Sequence, residues 1–503
     1  MPSRYPRSSG ILLHPTSLPG PYGIGDIGLT AVAWLDQLKH ANQTWWQMLP
    51  VGPTGYGDSP YQSFSTFAGN LNLLSPDSMV RDGLLRSGDL SGLWFPSDHV
   101  DYAMVEPFKL SLVRKAWQRH REGSAPNLGK EFKSFRDERE WLDDYAMFMA
   151  IKDANGGKAW FEWPEPLRQR EKKALDVARK DLKDAVDCYA FGQFLFFRQW
   201  HELRQHAKDR GIRLIGDVPI FVAPDSADVW ANPRGYLLDA NLRPLVVAGV
   251  PPDYFSRTGQ LWGNPHYDWE AMRQDGYAWW IARVRAALEL VDVIRLDHFR
   301  GFCAAWQVPA SETTAEVGEW VPGPGVDLFL HLRSKLGDLP LIAEDLGEIT
   351  PDVFELRDDL GLPGMKIIQF AFDDPKNKFL PHNYVPNCVA YTGTHDNDTT
   401  RGWYATAPEH ERDYYRRYTS RDGSDVAWDL IRLAWASVAD LAIAPLQDIL
   451  DLGTEHRMNI PGTAQGNWRW RMPSESLNDW ARSRLVEMTD IYNRNPIDEA
   501  AKK

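Results

Sequence analysis

The sequence predicts an α/β protein built on a (β/α)8 barrel, and three observations predict it. Eight short runs along the 503-residue chain are near-continuously apolar, as strands covered on both faces are. Helical patterns lie between several of them. Two of the runs end in acidic residues and a third leads into one at Asp396, at the position where a parallel barrel gathers its chemistry.

In order, the runs cover residues 10–14, 45–51, 213–222, 291–297, 339–345, 366–370, 388–392 and 441–446. Helical patterns over 29–40, 278–290 and 425–440 separate or precede them. The spacing is uneven. About 160 residues part the second run from the third, far more than one crossover needs. A helical insertion over 55–210 accounts for them. Its last stretch, 171–210, carries Phe191, Phe194, Phe197 and Trp200 at helical spacing, and Gly211 stops it. A second insertion, 223–274, is aromatic and turn-rich, and a third, 301–338, is rich in Gly and Pro. The whole of 1–503 then reads as one discontinuous catalytic barrel. No all-β segment follows the eighth run, and the tail after Asn493 reads as a frayed end.

Bulk composition narrows the function. With 69 acidic and 56 basic residues the formal charge is −13. That balance excludes a polyanion as main partner, since nucleic acid needs a basic surface. No apolar run is long enough to span a membrane, and residues 1–7 lack the apolar stretch of a secretory signal. A cytoplasmic protein is expected. Cys188, Cys303 and Cys388 are far apart, with no CxxC pair, and read as free thiols. The 22 Trp residues are mostly core filling, although aromatic faces also stack on sugar rings.

The acidic run ends carry the chemistry. Cleaving a glycosidic bond with retention needs a carboxylate nucleophile and a second carboxyl that protonates the leaving oxygen. Arg295 and Asp297 are two apart on a strand and share a face. A guanidinium there favours the ionised carboxylate a nucleophile requires; an ordinary ion pair reads the same way. Glu344 follows Leu341-Ile342-Ala343. Burial without a cation raises a carboxyl pKa, which suits an acid/base. Strand alternation sends Asp345 to the other face, so one of the two reaches a substrate. His395-Asp396-Asn397-Asp398 is a polar cluster after an apolar run. It reads either as sugar-holding groups or as turn formers.

Other chemistries find little support. Gly23-Ile24-Gly25-Asp26-Ile27-Gly28 matches the dinucleotide fingerprint, yet prolines precede it where a strand is required. There is no phosphate-binding Walker motif, no nucleophile elbow, no HExxH and no Cys/His cluster. No cofactor and no catalytic metal are expected; scattered loop Asp and Asn leave a calcium site open.

The chain resembles the amylomaltases, the 4-α-glucanotransferases (disproportionating enzymes) of glycoside hydrolase family 77 in the α-amylase clan. The resemblance rests on blocks in family order. These include Gly23-Ile24-Gly25-Asp26, Gly57-Asp58-Ser59-Pro60-Tyr61, Gly216-Asp217-Val218-Pro219-Ile220-Phe221-Val222, Pro251-Pro252-Asp253-Tyr254-Phe255-Ser256 and Gln260-Leu261-Trp262-Gly263-Asn264-Pro265. Arg295-Leu296-Asp297-His298-Phe299-Arg300-Gly301, Ala343-Glu344-Asp345-Leu346-Gly347 and Gly393-Thr394-His395-Asp396-Asn397-Asp398-Thr399 complete them. It implies Asp297 as nucleophile, Glu344 as acid/base and Asp396 as transition-state stabiliser. Arg295 would support Asp297, His395 and Asp217 would hold sugar hydroxyls, and Tyr61 would stack on the sugar. Tyr254, Phe255, Ser256, Gln260, Trp262, His298 and Asn467 would contact the glucan, and Tyr56 would mark a secondary glucan site. The implied partners are α-1,4-glucans and maltooligosaccharides, as donor and as acceptor. A hydrolase of the same clan, or a non-catalytic glucan-binding protein, are the alternatives.

Overall fold

The computed structural model describes residues 5–92, 94–252, 256–473 and 477–495. Eight parallel strands form its central sheet: β1 (Ser8–Leu12), β2 (Trp45–Gln47), β3 (Arg213–Pro219), β6 (Val293–Asp297), β9 (Leu341–Ala343), β10 (Gly364–Ile367), β11 (Cys388–Tyr391) and β12 (Leu441–Pro445). They pair in chain order except at β9 and β10, which end the sheet, and β12 pairs with β1 with Leu441 opposite Ser8 and Pro445 opposite Leu12. This is the expected (β/α)8 barrel, with each of the eight predicted runs supplying one strand.

Two apolar layers explain why the runs do not alternate. One buried cluster takes Leu12, Trp45, Ile215, Val293, Ile342, Met365, Val389 and Leu441, one residue from each barrel strand, and fills the interior. Their strand neighbours Ile11, Trp46, Leu214, Ile294, Leu341, Ala390 and Ala442 join the larger cluster outside, under the helices. Both faces are therefore dry. Residues two or four along from the interior set point inward as well, which fixes the site: Asp217 after Ile215, Arg295 and then Asp297 after Val293, Glu344 after Ile342.

The closing seam lies between β9 and β10. One backbone bond crosses it, from Ala343 N to Pro363 O at 2.9 Å. The outward-facing Asp345 supplies the rest, accepting from Met365 N at 2.7 Å and from Arg357 Nη1 at 2.6 Å. Gly364 makes this approach possible, since a Cβ there would lie 2.4 Å from Asp345 Oδ2. Gly364→Ala is expected to cost about 1–3 kcal/mol through overpacking. A thermal melt checks it; an unchanged midpoint would remove Asp345 from this role.

Helices Leu29–His40 and Ala278–Leu290 fall where the sequence placed them. The long stretch before β3 breaks at Leu182 into Lys172–Asp181 and Lys183–Asp209. Gly211, at φ +72°, terminates it. Phe191, Phe194, Phe197 and Trp200 are buried, against Phe132, Phe135 and Trp141 among others. The second half of this helix also serves as a barrel helix. Trp200 Nε1 donates to Leu290 O at 2.8 Å, and Arg210 pairs with Asp36 at 2.7 Å. Between β10 and β11 only 3-10 turns appear, where Pro375, Pro381 and Pro386 remove helix donors.

Residues of the second and third insertions combine. β4 (Val246–Val250), β5 (Gln260–Pro265), β7 (Ala304–Pro309) and β8 (Glu319–Pro322) form one antiparallel sheet in the order β5-β4-β7-β8. After β12 the described residues contain no strand; helix Asp479–Ile491 packs on helix Val426–Ala436. The tail is not frayed at its start. Arg494 is fully buried and donates to the carbonyls of Ser8, Trp435 and Ala439, so main-chain oxygens at the amino end of the barrel hold it.

Candidate active site

The inward-facing side chains meet at the carboxyl ends of the strands. Arg295 on β6 is the hub. Its Nη1 donates to Asp217 Oδ1 at 2.8 Å and Oδ2 at 2.7 Å, and to Asp297 Oδ1 at 2.8 Å. Asp217 is closed off, its side chain 1% exposed, and Tyr61 Oη also donates to its Oδ2 at 2.8 Å. Asp297 differs: its side chain keeps 28% of its surface open, and its Oδ2 has no hydrogen bond among the described residues.

Glu344 sits beside Asp297 at the end of the neighbouring strand. Its backbone N donates to Leu296 O at 3.0 Å, and its carbonyl accepts from Phe299 N at 3.1 Å. A left-handed turn at His298, φ +53°, aims that residue's N–H at Glu344 Oε2, 2.7 Å away. Leu346 N donates to Oε1 at 3.0 Å. Burial pushes the Glu344 carboxyl up; Arg295 opposes this, the like charge of Asp297 adds to it, and the result is about 8. The two backbone donors favour the anion but do not reverse the direction.

On the far side, Tyr61 stacks on His395 with ring centroids 5.0 Å apart and planes at 17°, and Trp468 tilts against both rings. His395 Nε2 lies 3.3 Å from Asp396 Oδ2. Burial disfavours the charged imidazole, but Asp396 outweighs it and the His395 pKa is raised. Desolvation also lifts Asp396, yet His395 and the Asn459 amide hold it at about 2. Its side chain remains half open to the cleft.

Three of the expected glucan contacts lie on the β4–β5 hairpin or its end. Ser256 Oγ donates to Gly259 O at 2.6 Å and shapes the turn. Gln260 Oε1 accepts from Trp262 Nε1 at 3.3 Å. Trp262 meets the His298 ring edge-on at 4.8 Å, which ties the hairpin to the end of β6. Burial holds the His298 imidazole down at about 4 and keeps it neutral. Tyr254 and Phe255 lie outside the described residues. Asn467 is buried, with its amide bound to its own loop, accepting from Ile460 N at 3.0 Å and donating to Thr463 O at 2.9 Å. Tyr56 is 78% exposed, on the turn Tyr56–Asp58.

Sequence reasoning missed two residues here. Asn459 Nδ2 donates to Asp396 Oδ1 at 2.6 Å, and Arg457 Nη2 donates to Asp396 O at 2.9 Å. Both lie in the segment after β12, where Asn459-Ile460-Pro461-Gly462 reads only as a turn.

The arrangement combines an accessible carboxylate held by a guanidinium, a buried protonated one, a third beside an imidazole whose pKa is raised, and an aromatic wall. That set can break and re-form an acetal at a sugar. Comparisons with known proteins agree. The sequence profile of the family described as 4-alpha-glucanotransferase matches residues 13–477. A Thermus thermophilus 4-alpha-glucanotransferase is 51% identical over 499 residues, covering 97% of this chain and 99% of that one. A Solanum tuberosum 4-alpha-glucanotransferase, chloroplastic/amyloplastic, is 45% identical, with 98% and 87% covered. The structure of amylomaltase from Streptococcus agalactiae in complex with acarbose superposes with a TM-score of 0.94 at 40% identity, covering 97% of this chain and all of that one. Amylomaltase from Corynebacterium glutamicum, at 18% identity and a TM-score of 0.79, shares the fold. The chain belongs to the 4-alpha-glucanotransferase family.

Proposed function

We propose that this protein transfers α-1,4-glucan segments between maltooligosaccharides or starch-type glucans by retaining double displacement. The observation that carries this is the contrast between the two neighbouring carboxyls, Asp297 open with one oxygen unengaged among the described residues and Glu344 buried with a raised pKa. In the first step an Asp297 oxygen attacks the anomeric carbon. The bond from that carbon to the leaving O4 breaks, and the Glu344 proton goes to O4. In the second step Glu344 removes the proton of an acceptor hydroxyl, that oxygen attacks the same carbon, and Asp297 departs. One glycosidic bond replaces another, so no cofactor takes part.

Arg295 orients Asp297 through the 2.8 Å hydrogen bond to its Oδ1. Asp217 orients Arg295 and Tyr61, which engage both of its oxygens. Asp396 and His395 stabilise the oxocarbenium-like transition state through charge and hydroxyl contacts, and the Tyr61 ring carries the sugar. The antiparallel sheet bearing Gln260 and Trp262 covers the acceptor side and limits water, which transfer needs.

Maltotriose disproportionation tests the activity. Glucose and longer oligomers should appear while total reducing ends stay constant; rising reducing ends would make the protein a hydrolase. The same assay across pH tests the acid/base. Glu344 must carry a proton for the first step, so the rate should fall as pH rises through about 8. The stability sign agrees: the unfolded chain releases this proton at lower pH, so the contribution of burying Glu344 protonated is lost as pH rises toward about 8. A rate flat from pH 7 to pH 10 would count against Glu344.

A further inference from the structure

The segment after β12 grips Asp396 from outside its own loop. Asn459 is buried and donates to Asp396 Oδ1 at 2.6 Å. Arg457 donates twice, to Asp396 O at 2.9 Å and to Asn459 O at 3.0 Å, so it fixes both partners of that bond. Thr394 Oγ1 faces the Asp396 N–H at 3.4 Å, and His395 lies 3.3 Å from Oδ2. Both carboxylate oxygens and both main-chain groups of Asp396 therefore have partners. The same segment carries Trp468, whose N donates to Met458 O at 2.7 Å and whose ring rests on Tyr61 and His395. One stretch of chain thus sets the orientation of an acid and of the aromatic wall beside it.

We propose that Asn459 is a positioning residue for the transfer reaction: its amide fixes the Asp396 carboxylate in the orientation that faces the sugar, and Arg457 locks the Asn459–Asp396 pair. This rests on the role given to Asp396 above. The geometry assigns Asn459 no contact with the reacting atoms. Its effect reaches the transition state through Asp396 alone, since a carboxylate free to rotate about its side-chain bonds loses its alignment with the developing charge. A neutral donor suits the place. It orders the acid without pairing its charge, which a cation would do.

The test compares Asn459→Ala and the isosteric Asn459→Asp with the natural protein, with Asp396→Asn run in parallel. Asn459→Ala should lower kcat by about 30-fold, the size of a lost hydrogen bond to a charged group, with KM within about 3-fold. The acid limb of the kcat profile should move to higher pH, because a donor to the ionised form is gone. The charged groups facing Asp396 are His395, Arg295 on β6 with Asp217 and Asp297, and Arg457 with Asp398 from the loops; all of them remain in the Ala variant. Asn459→Asp should lose more and shift the limb further, since it adds a like charge. Thermal melts separate folding from function, and Arg457→Lys, which replaces the two donating nitrogens of the guanidinium with one ammonium, should give a smaller loss of the same kind if Asn459→Ala fails to fold. A folded Asn459→Ala with natural kcat and pH profile, beside an inactive Asp396→Asn, would overturn the inference alone. An active Asp396→Asn would overturn the role of Asp396, and the inference with it.

Discussion

Asp297→Asn is expected to abolish transfer, lowering kcat/KM by at least about 10⁴-fold, or about 5.5 kcal/mol of transition-state stabilisation. The amide keeps the size of the carboxylate, so the fold should hold. It cannot form an acylal with the anomeric carbon, and it has no charge to offset the developing cation. The change leaves Arg295 paired with Asp217 at 2.7 Å, so the hub of the site survives and the loss is chemical. Binding should survive too, and a maltooligosaccharide should still quench tryptophan fluorescence in the variant. Near-normal disproportionation by Asp297→Asn would take the nucleophile elsewhere.

Glu344→Gln is expected to separate the two steps. With natural glucan donors the rate should fall by about 10³-fold, because O4 is a poor leaving group without a proton. A glucosyl donor whose leaving group needs no protonation should largely escape the loss in the first step. The glycosyl-enzyme should then accumulate, since no base activates the acceptor hydroxyl. A small anionic nucleophile such as azide, which needs no base, should release it. The Gln oxygen can accept from only one of His298 N and Leu346 N, which donate to different oxygens of Glu344, and its NH2 then faces the other donor. A modest loss of stability therefore accompanies the kinetic change. Equal losses with every donor would argue that Glu344 binds rather than transfers protons.

Much of this was legible in the sequence for a physical reason. Barrel strands are buried on both faces, so they read as apolar runs, and inward parity then carries Arg295, Asp297 and Glu344 to one end. Parity also separated Glu344 from Asp345, whose place at the β9–β10 seam depends on a glycine across the gap. What stayed hidden depends on contacts between distant segments. β4 and β7 lie in different insertions, and neither run shows which partner it will find. Asn459 and Arg457 look like turn residues until the loop after β12 folds over Asp396. Arg494 sits near a chain end, yet it is fully buried among carbonyls that no local pattern announces. Asp217 comes from the sequence only through the family resemblance, and its enclosure by Arg295 and Tyr61 depends on contacts between β3, β6 and a distant loop.

Trapping the covalent intermediate addresses the central claim. The protein is incubated with a fluorinated glucosyl donor that forms the glycosyl-enzyme quickly and releases it slowly, then digested and mapped by mass spectrometry. The mass of one sugar should appear on the peptide containing Asp297, and Asp297→Asn should carry none. A sugar attached to Asp217, Glu344 or Asp396, or full transfer with inverted anomeric configuration and no adduct, would contradict the assignment.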